Sequence, residues 1–541
     1  MTLHALDWVV VGVYAAVVLT IGLYVVKKPS TGEGYFLANR RLRWPFIGTS
    51  LFASNISAEH IVGLAGTGFA VGMAVGGFEW MAIYCMLPLI LLFLPFYIRT
   101  RIYTVPEFLE RRFSSAIRTM FSVVMVVLSV LTKIAVSLWA SAVVFQGVFG
   151  WDPIFSMWLV ALVTAAYTMK GGLNAVVYTD AIQTTVLLVA AVILTSIGLS
   201  RVGGWTGLHA ALAPQFFEMV KPITHPDFPW LGMFVGIFLA GSFYWSMDQV
   251  LVQRVFAARD LNEGRKGAVL CAFLKVLTPF VLVLPGLIAR ALYKSEVEAT
   301  AVSHGVQAAD QAYPILLKHL MPTGLLGLTV AGVAAALMGH LSATFNSIAT
   351  MFTRDFYVKL RPQADHAHQI LAGRIAVLVV AILGAAWAPV IGGFKSLWIY
   401  LQSVGVYLVM PFVAVFFLGV LWKRITSQGV WATVVVGFVV GPVMLFDSQM
   451  HFIPFITNSP ILAPWLNASI LEFVICAVVL IVVSLGTPQS APEKLAQTTV
   501  AWGSAAAPSE EPRHSLFHDY RPWLVLVVAI TTLLWFLLRN G

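Results

Sequence analysis

Apolar stretches of about 20 residues follow one another along the whole chain, and that succession leaves few folds open. Scanning at this length finds about fourteen, near 6–26, 45–70, 78–97, 118–149, 154–169, 177–199, 230–252, 268–292, 325–353, 372–391, 397–421, 430–446, 466–485 and 522–538. In hydrocarbon every backbone N–H and C=O must find a partner within the chain, so runs of this length fold as spanning helices. Composition agrees, since 59% of the 541 residues are hydrophobic and only 11% are charged. The expected fold class is all-α integral membrane, with about 14 transmembrane helices. The first run is too long for a leader's apolar core and has no basic flank before it, so it is expected to stay as a span.

Charge sets the orientation. If the N-terminus lies outside, the inner segments hold Lys27, Lys28, Arg40, Arg41, Arg43, Arg99, Arg101, Arg111, Arg112, Arg118, Arg254, Arg259, Arg354 and Lys359, whereas outer segments hold few basic residues, such as Arg201, Lys221 and Lys395. The net charge of +9 therefore reports topology and not nucleic-acid binding. Short loops point to a multi-pass protein of a bacterial plasma (inner) membrane, with N- and C-termini on the outer side and the lipid bilayer as its surroundings. Cys85, Cys271 and Cys476 fall within helices, as packed or lipid-facing small residues, and imply no disulfide or metal framework. The polar stretch near 486–521, rich in Ala, Pro, Ser and Glu, reads as a mobile connector before the last helix.

Within one apolar run, from Ser50 to His60, stand Asn55, Glu59 and His60, with Gly63, Gly66 and Gly68 close behind. Ionisable groups at membrane depth are expensive and mark sites, and the glycines suggest a helix interrupted near its middle. A second interruption is expected in 230–252, where Gly236, Gly241, Tyr244, Trp245, Asp248 and Gln249 break the apolar pattern. Two broken helices five spans apart suit a transporter with inverted repeats. The segments expected are 1–44 (first helix and loop), 45–229 (first five-helix repeat), 230–424 (second repeat) and 425–541 (C-terminal helices).

Several blocks then carry a family resemblance. They are Ser50 to Ile56, Val62 to Gly68, Gly76 to Trp80, Tyr178 to Gln183, Tyr244-Trp245 with Asp248 to Arg254, and Phe345 to Ser347. Together, from about Tyr35 to Lys423, the sequence resembles the sodium/solute symporter family in its sodium/glucose cotransporter branch. The resemblance implies a LeuT-like inverted repeat (5+5 helices) with additional flanking helices. It also implies a hexose site on Asn55, His60, Glu79, Lys275 and Gln402, whose amides, carboxylate and ammonium complement sugar hydroxyls. Tyr244 resembles the family's inner aromatic gate, and Trp245 and Phe78 extend that wall. Glu79 and Lys275 have a second reading as a pair that simply neutralises itself, Gln402 as interhelical glue, and Lys133 and Arg254 as structural or snorkelling residues. Gly241 stands where relatives often carry a polar side chain, which would enlarge the pocket or leave room for water.

The coupling site departs from the family. Sodium-coupled members supply two adjacent serine hydroxyls that complete a cage with backbone carbonyls, here those of Ala53, Ile56 and Ala336. In this chain the pair is Gly339-His340. Sodium prefers hard oxygen ligands, so the site is expected to be degenerate. A protonated His340 would donate to the same carbonyls, giving proton coupling or uniport in place of Na+; the alternative is an interhelical structural bond. Asp180 resembles a family aspartate tied to a second sodium site, or salt-bridges a neighbouring helix. No organic cofactor is expected, and the coupling cation, Na+ or H+, stays open. No Ser/His/Asp or metal-ligand constellation is evident, so the chain is not expected to be an enzyme. The expected function is secondary-active sugar (hexose) transport by alternating access; the alternatives are a sugar sensor without transport, or a transporter of inositol or another small polar solute. Oligomeric state is not legible.

Overall fold

The computed structural model describes residues 4–21, 31–57, 59–299, 308–393, 397–499 and 518–540. Lys27, Lys28 and Lys395, and the connector over 500–517, fall outside them. The main helices are α1 (Ala5–Thr20), α2 (Trp44–Asn55), α3 (His60–Val71), α4 (Met73–Thr100), α5 (Ser115–Phe149), α6 (Pro153–Lys170) and α7 (Gly172–Val202). They continue with α8 (Gly232–Met247), α9 (Gln249–Phe256), α10 (Leu261–Ala299), α11 (Leu325–Leu360), α12 (His366–Ile391) and α13 (Leu397–Leu421). Then follow α14 (Ser427–Met450), α15 (Trp465–Leu485), α16 (Pro492–Thr498) and α17 (Tyr520–Leu537). Among the described residues, 11 helices are long and apolar enough to cross a membrane, and the bent pair α8 and α9 makes up to 12. The two other expected spans take different forms: Ala5–Val18 is a shorter apolar helix, and the 45–70 run is the separate pieces α2 and α3.

Both expected interruptions are present, and they share a backbone conformation. After Asn55 the chain leaves the helix at Ile56 (φ −81, ψ 120), and after Met247 it leaves at Asp248 (φ −73, ψ 120). These extended residues turn the axis, by 47° between α8 and α9. Asp248 sits at its break for a physical reason: its carboxylate accepts from Val250 N–H at 2.9 Å and caps the new helix. Beyond the first break, Ser57 C=O accepts from His60 N–H at 3.1 Å and restarts the helix. Five spans run from α2/α3 to α7, and five more from α8/α9 to α13, each set led by a broken helix.

Small residues let the spans approach. Gly68 faces α10 so closely that a Cβ would lie 2.6 Å from Val283 C=O, and Gly286 of α10 faces the Ala65 carbonyl in the same seam. Between α6 and α7 the chain bends at Gly172, whose φ of +60 and ψ of −160 suit only glycine. Several spans carry a π-turn, notably His60–Leu64 in α3, Leu89–Phe93 in α4 and Ser129–Ile134 in α5. The cysteines Cys85, Cys271 and Cys476 are all buried, so the packed reading holds. The connector is not a free tether at its start. There α16 packs beside the short helix Val105–Arg112, Leu495 is buried, and Lys494 Nζ donates to Phe113 C=O at 3.1 Å.

Two polar clusters anchor the long helix α11. At its start, buried Asp7 of α1 accepts from Gly324 N–H at 2.7 Å and Gly327 N–H at 2.9 Å. At its far end Asp355 accepts from Arg118 Nη2 (2.6 Å), Ser122 Oγ (2.8 Å) and Thr104 Oγ1 (2.9 Å). Arg118 also binds Glu110 at 2.5 Å. Asp7→Ala removes the one oxygen, Oδ1, that accepts from both amides at the α11 N-terminus, and is expected to cost about 1–2 kcal/mol. Asp7→Asn, which keeps an accepting oxygen, is expected to recover most of that; thermal unfolding in detergent checks both.

Candidate functional site

Between the two broken helices lies a cavity of about 180 Å³, walled by α2, α3, α4, α5, α8, α10, α11 and α13. All of the expected sugar-site residues line it: Asn55, His60, Phe78, Glu79, Tyr244, Trp245, Lys275 and Gln402. Their convergence follows from the breaks, because a helix that stops halfway presents both its last turn and its restart to the same space.

The wall is ordered by two ion pairs. Lys275 Nζ lies 2.6 Å from Glu79 Oε2, with both residues almost fully buried. The ammonium also stands over the rings of Trp245 (5.8 Å) and Phe52 (6.0 Å). The pairing expected as the plain alternative is thus formed, and it is formed at the cavity wall. Lys133, on the π-turn of α5, pairs with Asp248 at the second break and lies 5.6 Å from the Tyr244 ring. It does not snorkel to a helix end, because a carboxylate is available at membrane depth. Arg254 is fully buried and reaches the Ser50 hydroxyl and the Val250 carbonyl.

Asn55 Nδ2 donates to Tyr244 Oη at 3.1 Å, which ties the first broken helix to the second through the expected gate residue. Around His60 and Phe78 the aromatic side chains of the wall close up. Trp398 meets His60 edge-on at 5.2 Å and Phe78 at 5.7 Å, and Phe78 meets Phe228 at 6.0 Å. Phe228 in turn stacks with His225, both from the 213–231 connection. Partial burial holds the His225 imidazole below its usual range, with Asp227 opposing and Lys221 assisting. Beside α3, Asp310 lies near Gly66, and burial pushes its carboxyl up to about 7. Trp398 was not among the sequence candidates, although it stands one helical turn before Gln402.

Gly241 lines the cavity but does not enlarge it. A Cβ there would lie 2.6 Å from Cys85 Sγ, so the glycine admits the thiol rather than a water.

The expected coupling residues divide into two places. His340 lines the cavity and is buried, with Nδ1 2.6 Å from the carbonyl of Ser54. That oxygen belongs to the residue following Ala53, so the imidazole meets neither of the carbonyls expected on this helix, those of Ala53 and Ile56; Ala336 lies one turn earlier on α11. Gly339 turns away toward Gln183 and Asp180, where a Cβ would lie 2.7 Å from Gln183 Oε1 and 3.5 Å from Asp180 Oδ1. Asp180 accepts from Ser50 Oγ at 2.5 Å, and Ser50 relays it to Arg254 Nε at 3.4 Å. Asp180 therefore meets its basic neighbour through a hydroxyl and not in a direct salt bridge. Glu59, noted in the sequence but given no role, also faces this region: its Oε2 accepts from Ser137 Oγ at 3.0 Å.

A model described as the sodium:solute symporter family matches residues 35–437. The sodium/mannose cotransporter SLC5A10 of Bos taurus is 37% identical over 540 residues, covering 93% of this chain and 90% of that protein. Sodium/glucose cotransporter 4 of Danio rerio is 37% identical over 483 residues (84% and 73%), and sodium/glucose cotransporter 1 of Sus scrofa is 35% identical over 525 (90% and 79%). Among solved structures, a Na+-coupled sialic acid symporter in a substrate-bound outward-open state superposes with TM-score 0.76 at 20% identity, covering 90% of this chain and 99% of that one. The fold is shared with it, and is the LeuT-like one that the sequence implies.

Removing one member of a buried ion pair leaves the other charge uncompensated. Lys275→Met is therefore expected to cost about 3–5 kcal/mol, and Lys275→Met with Glu79→Leu to recover most of it, in a thermal-unfolding double-mutant cycle.

Proposed function

From the premise that this chain belongs to the sodium:solute symporter family, we propose that it carries neutral hexoses across a membrane by alternating access. At the coarser level it is a multi-pass membrane transporter of a sugar or related solute, not an enzyme. The observation that carries the finer reading is the convergence of Asn55, His60, Glu79, Lys275 and Gln402 on one cavity beside Tyr244 and Trp245.

The chemistry suits a polyhydroxylated solute. Each sugar hydroxyl donates and accepts; Asn55 and Gln402 offer both kinds of atom, Glu79 accepts, and Lys275 has three donors of which Glu79 takes one. The paired charges cancel, so the wall offers strong hydrogen bonds without demanding a charged solute. Aromatic faces on Tyr244 and Trp245 suit the apolar face of a pyranose. The names of the relatives, glucose and mannose cotransporters, support the same class. Tyr244 on one side and the Phe78–Trp398–Phe228 cluster on the other act as the two gates, and alternating access opens them in turn. Coupling does not use a serine pair, since Gly339 and His340 occupy that place.

The orientation is part of this proposal, with both termini outside in a plasma membrane. Three basic segments distant in sequence gather in the fold: Arg40 donates to the carbonyls of Arg101 (2.9 Å) and Ile102 (3.1 Å), and Arg354 stacks on Tyr103 at 4.1 Å. One shared basic side supports placing these loops in the cytoplasm.

Counterflow of labelled glucose, galactose and mannose into vesicles holding the full chain tests the proposal. Exchange with at least one hexose is the expected result, and binding without exchange would favour a sensor. Gln402→Ala, which removes one polar partner worth about 1–1.5 kcal/mol, is expected to raise the half-saturating concentration roughly tenfold.

A further inference from the structure

One pair in the cavity wall is incomplete as it stands. A carbonyl only accepts, so the 2.6 Å contact between His340 Nδ1 and Ser54 C=O requires the hydrogen to be on Nδ1. Neutral His340 then presents a lone pair at Nε2. That nitrogen is buried without a hydrogen-bond partner, and it faces Glu59 Oε1 at 3.9 Å. Two acceptors turned toward each other at membrane depth call for one hydrogen between them.

The charges of the wall give the same answer by a separate route. Its charged lining holds the acids Glu59, Glu79 and Asp248 and the bases Lys133 and Lys275, with the imidazoles of His60 and His340 beside them. Lys275 takes Glu79 and Lys133 takes Asp248. Glu59 is left with a hydroxyl, Ser137, and an uncharged imidazole. With both imidazoles uncharged the lining carries one negative charge until a proton joins the Glu59–His340 pair, and is neutral afterwards.

We propose that Glu59 and His340 together bind the coupling ion, and that this ion is a proton; the inference rests on the hexose-transport reading. Geometry links the proton to the moving parts. Ser54 precedes the first break and Glu59 follows it, while His340 stands on α11, so a proton on the pair ties both halves of the broken helix to that span. It enters from the side to which the cavity is open, binds between Nε2 and Oε1, and leaves when rocking widens the gap. The other charged and titratable groups near the pair are Lys133 from α5, Asp248 from the second break, and His60, itself 3.9 Å from Glu79.

The test uses the full chain in vesicles with a trapped pH dye and no sodium in any buffer. Adding glucose or mannose outside is expected to acidify the lumen, and an inward proton gradient to accumulate labelled sugar several-fold above equilibrium. His340→Asn, whose amide still donates to Ser54 C=O but does not titrate, is expected to abolish the acidification, and Glu59→Gln to do the same. Sugar entry without acidification overturns the proton pair and leaves the hexose reading standing. If no hexose enters under any gradient, the hexose reading falls, and the pair is judged by melting temperature alone in sodium and choline salts from about pH 5 to 8. A midpoint that moves with pH but not with sodium, and stops moving in His340→Asn, supports the pair. Sodium-specific stabilisation, or an unaltered pH dependence in that variant, overturns it.

Discussion

Backbone groups freed inside hydrocarbon must find partners, and this one constraint organises the molecule. Two helices stop halfway, at Ile56 and at Asp248, in the same extended conformation. Each stop strands N–H and C=O groups at membrane depth. The chain answers with polar side chains that a continuous helix would never need: Asp248 on the Val250 amide, His340 on the Ser54 carbonyl. Those side chains then need partners of their own, and Lys133 and Glu59 follow. The polar cavity is the accumulated consequence of two interrupted ladders.

The helix α11 joins features that are far apart in sequence. It begins on the Asp7 carboxylate, carries Gly339 toward Asp180 and His340 toward the first break, and ends in the Asp355–Arg118 cluster. A span fastened at both ends transmits what happens at its middle. Asn55 on Tyr244 closes the circuit between the two broken helices.

Much of this was legible in one dimension. Apolar length marked the spans, and ionisable residues inside apolar runs marked the breaks, because the cost of a charge in hydrocarbon depends on depth, which sequence order reveals. The resemblance placed Asn55, His60, Glu79, Lys275 and Gln402 as candidates, and the breaks explain why they meet. Partnership between distant charges was not legible. Lys133 and Asp248 are 115 residues apart, and nothing in the apolar run around Lys133 names its carboxylate. The close approach of Cys85 to Gly241 depends on how α4 meets α8, and the carbonyl that His340 finds depends on the angle at which α2 ends. Trp398 was hidden for another reason: a tryptophan in an apolar run costs nothing and so raises no flag.

His60 and Lys133, both in the cavity wall, stand on the π-turns His60–Leu64 and Ser129–Ile134. Such a turn is an α-helix holding one residue more than its length requires, so the residues after it face about 100° away from where an unbroken 3.6-residue count would put them. The inner faces of α3 and α5 are therefore set by a counting offset as well as by residue type. Two chains with the same helices and the same polar residues, but differing by one residue in either span, would present different chemistry to the same hollow.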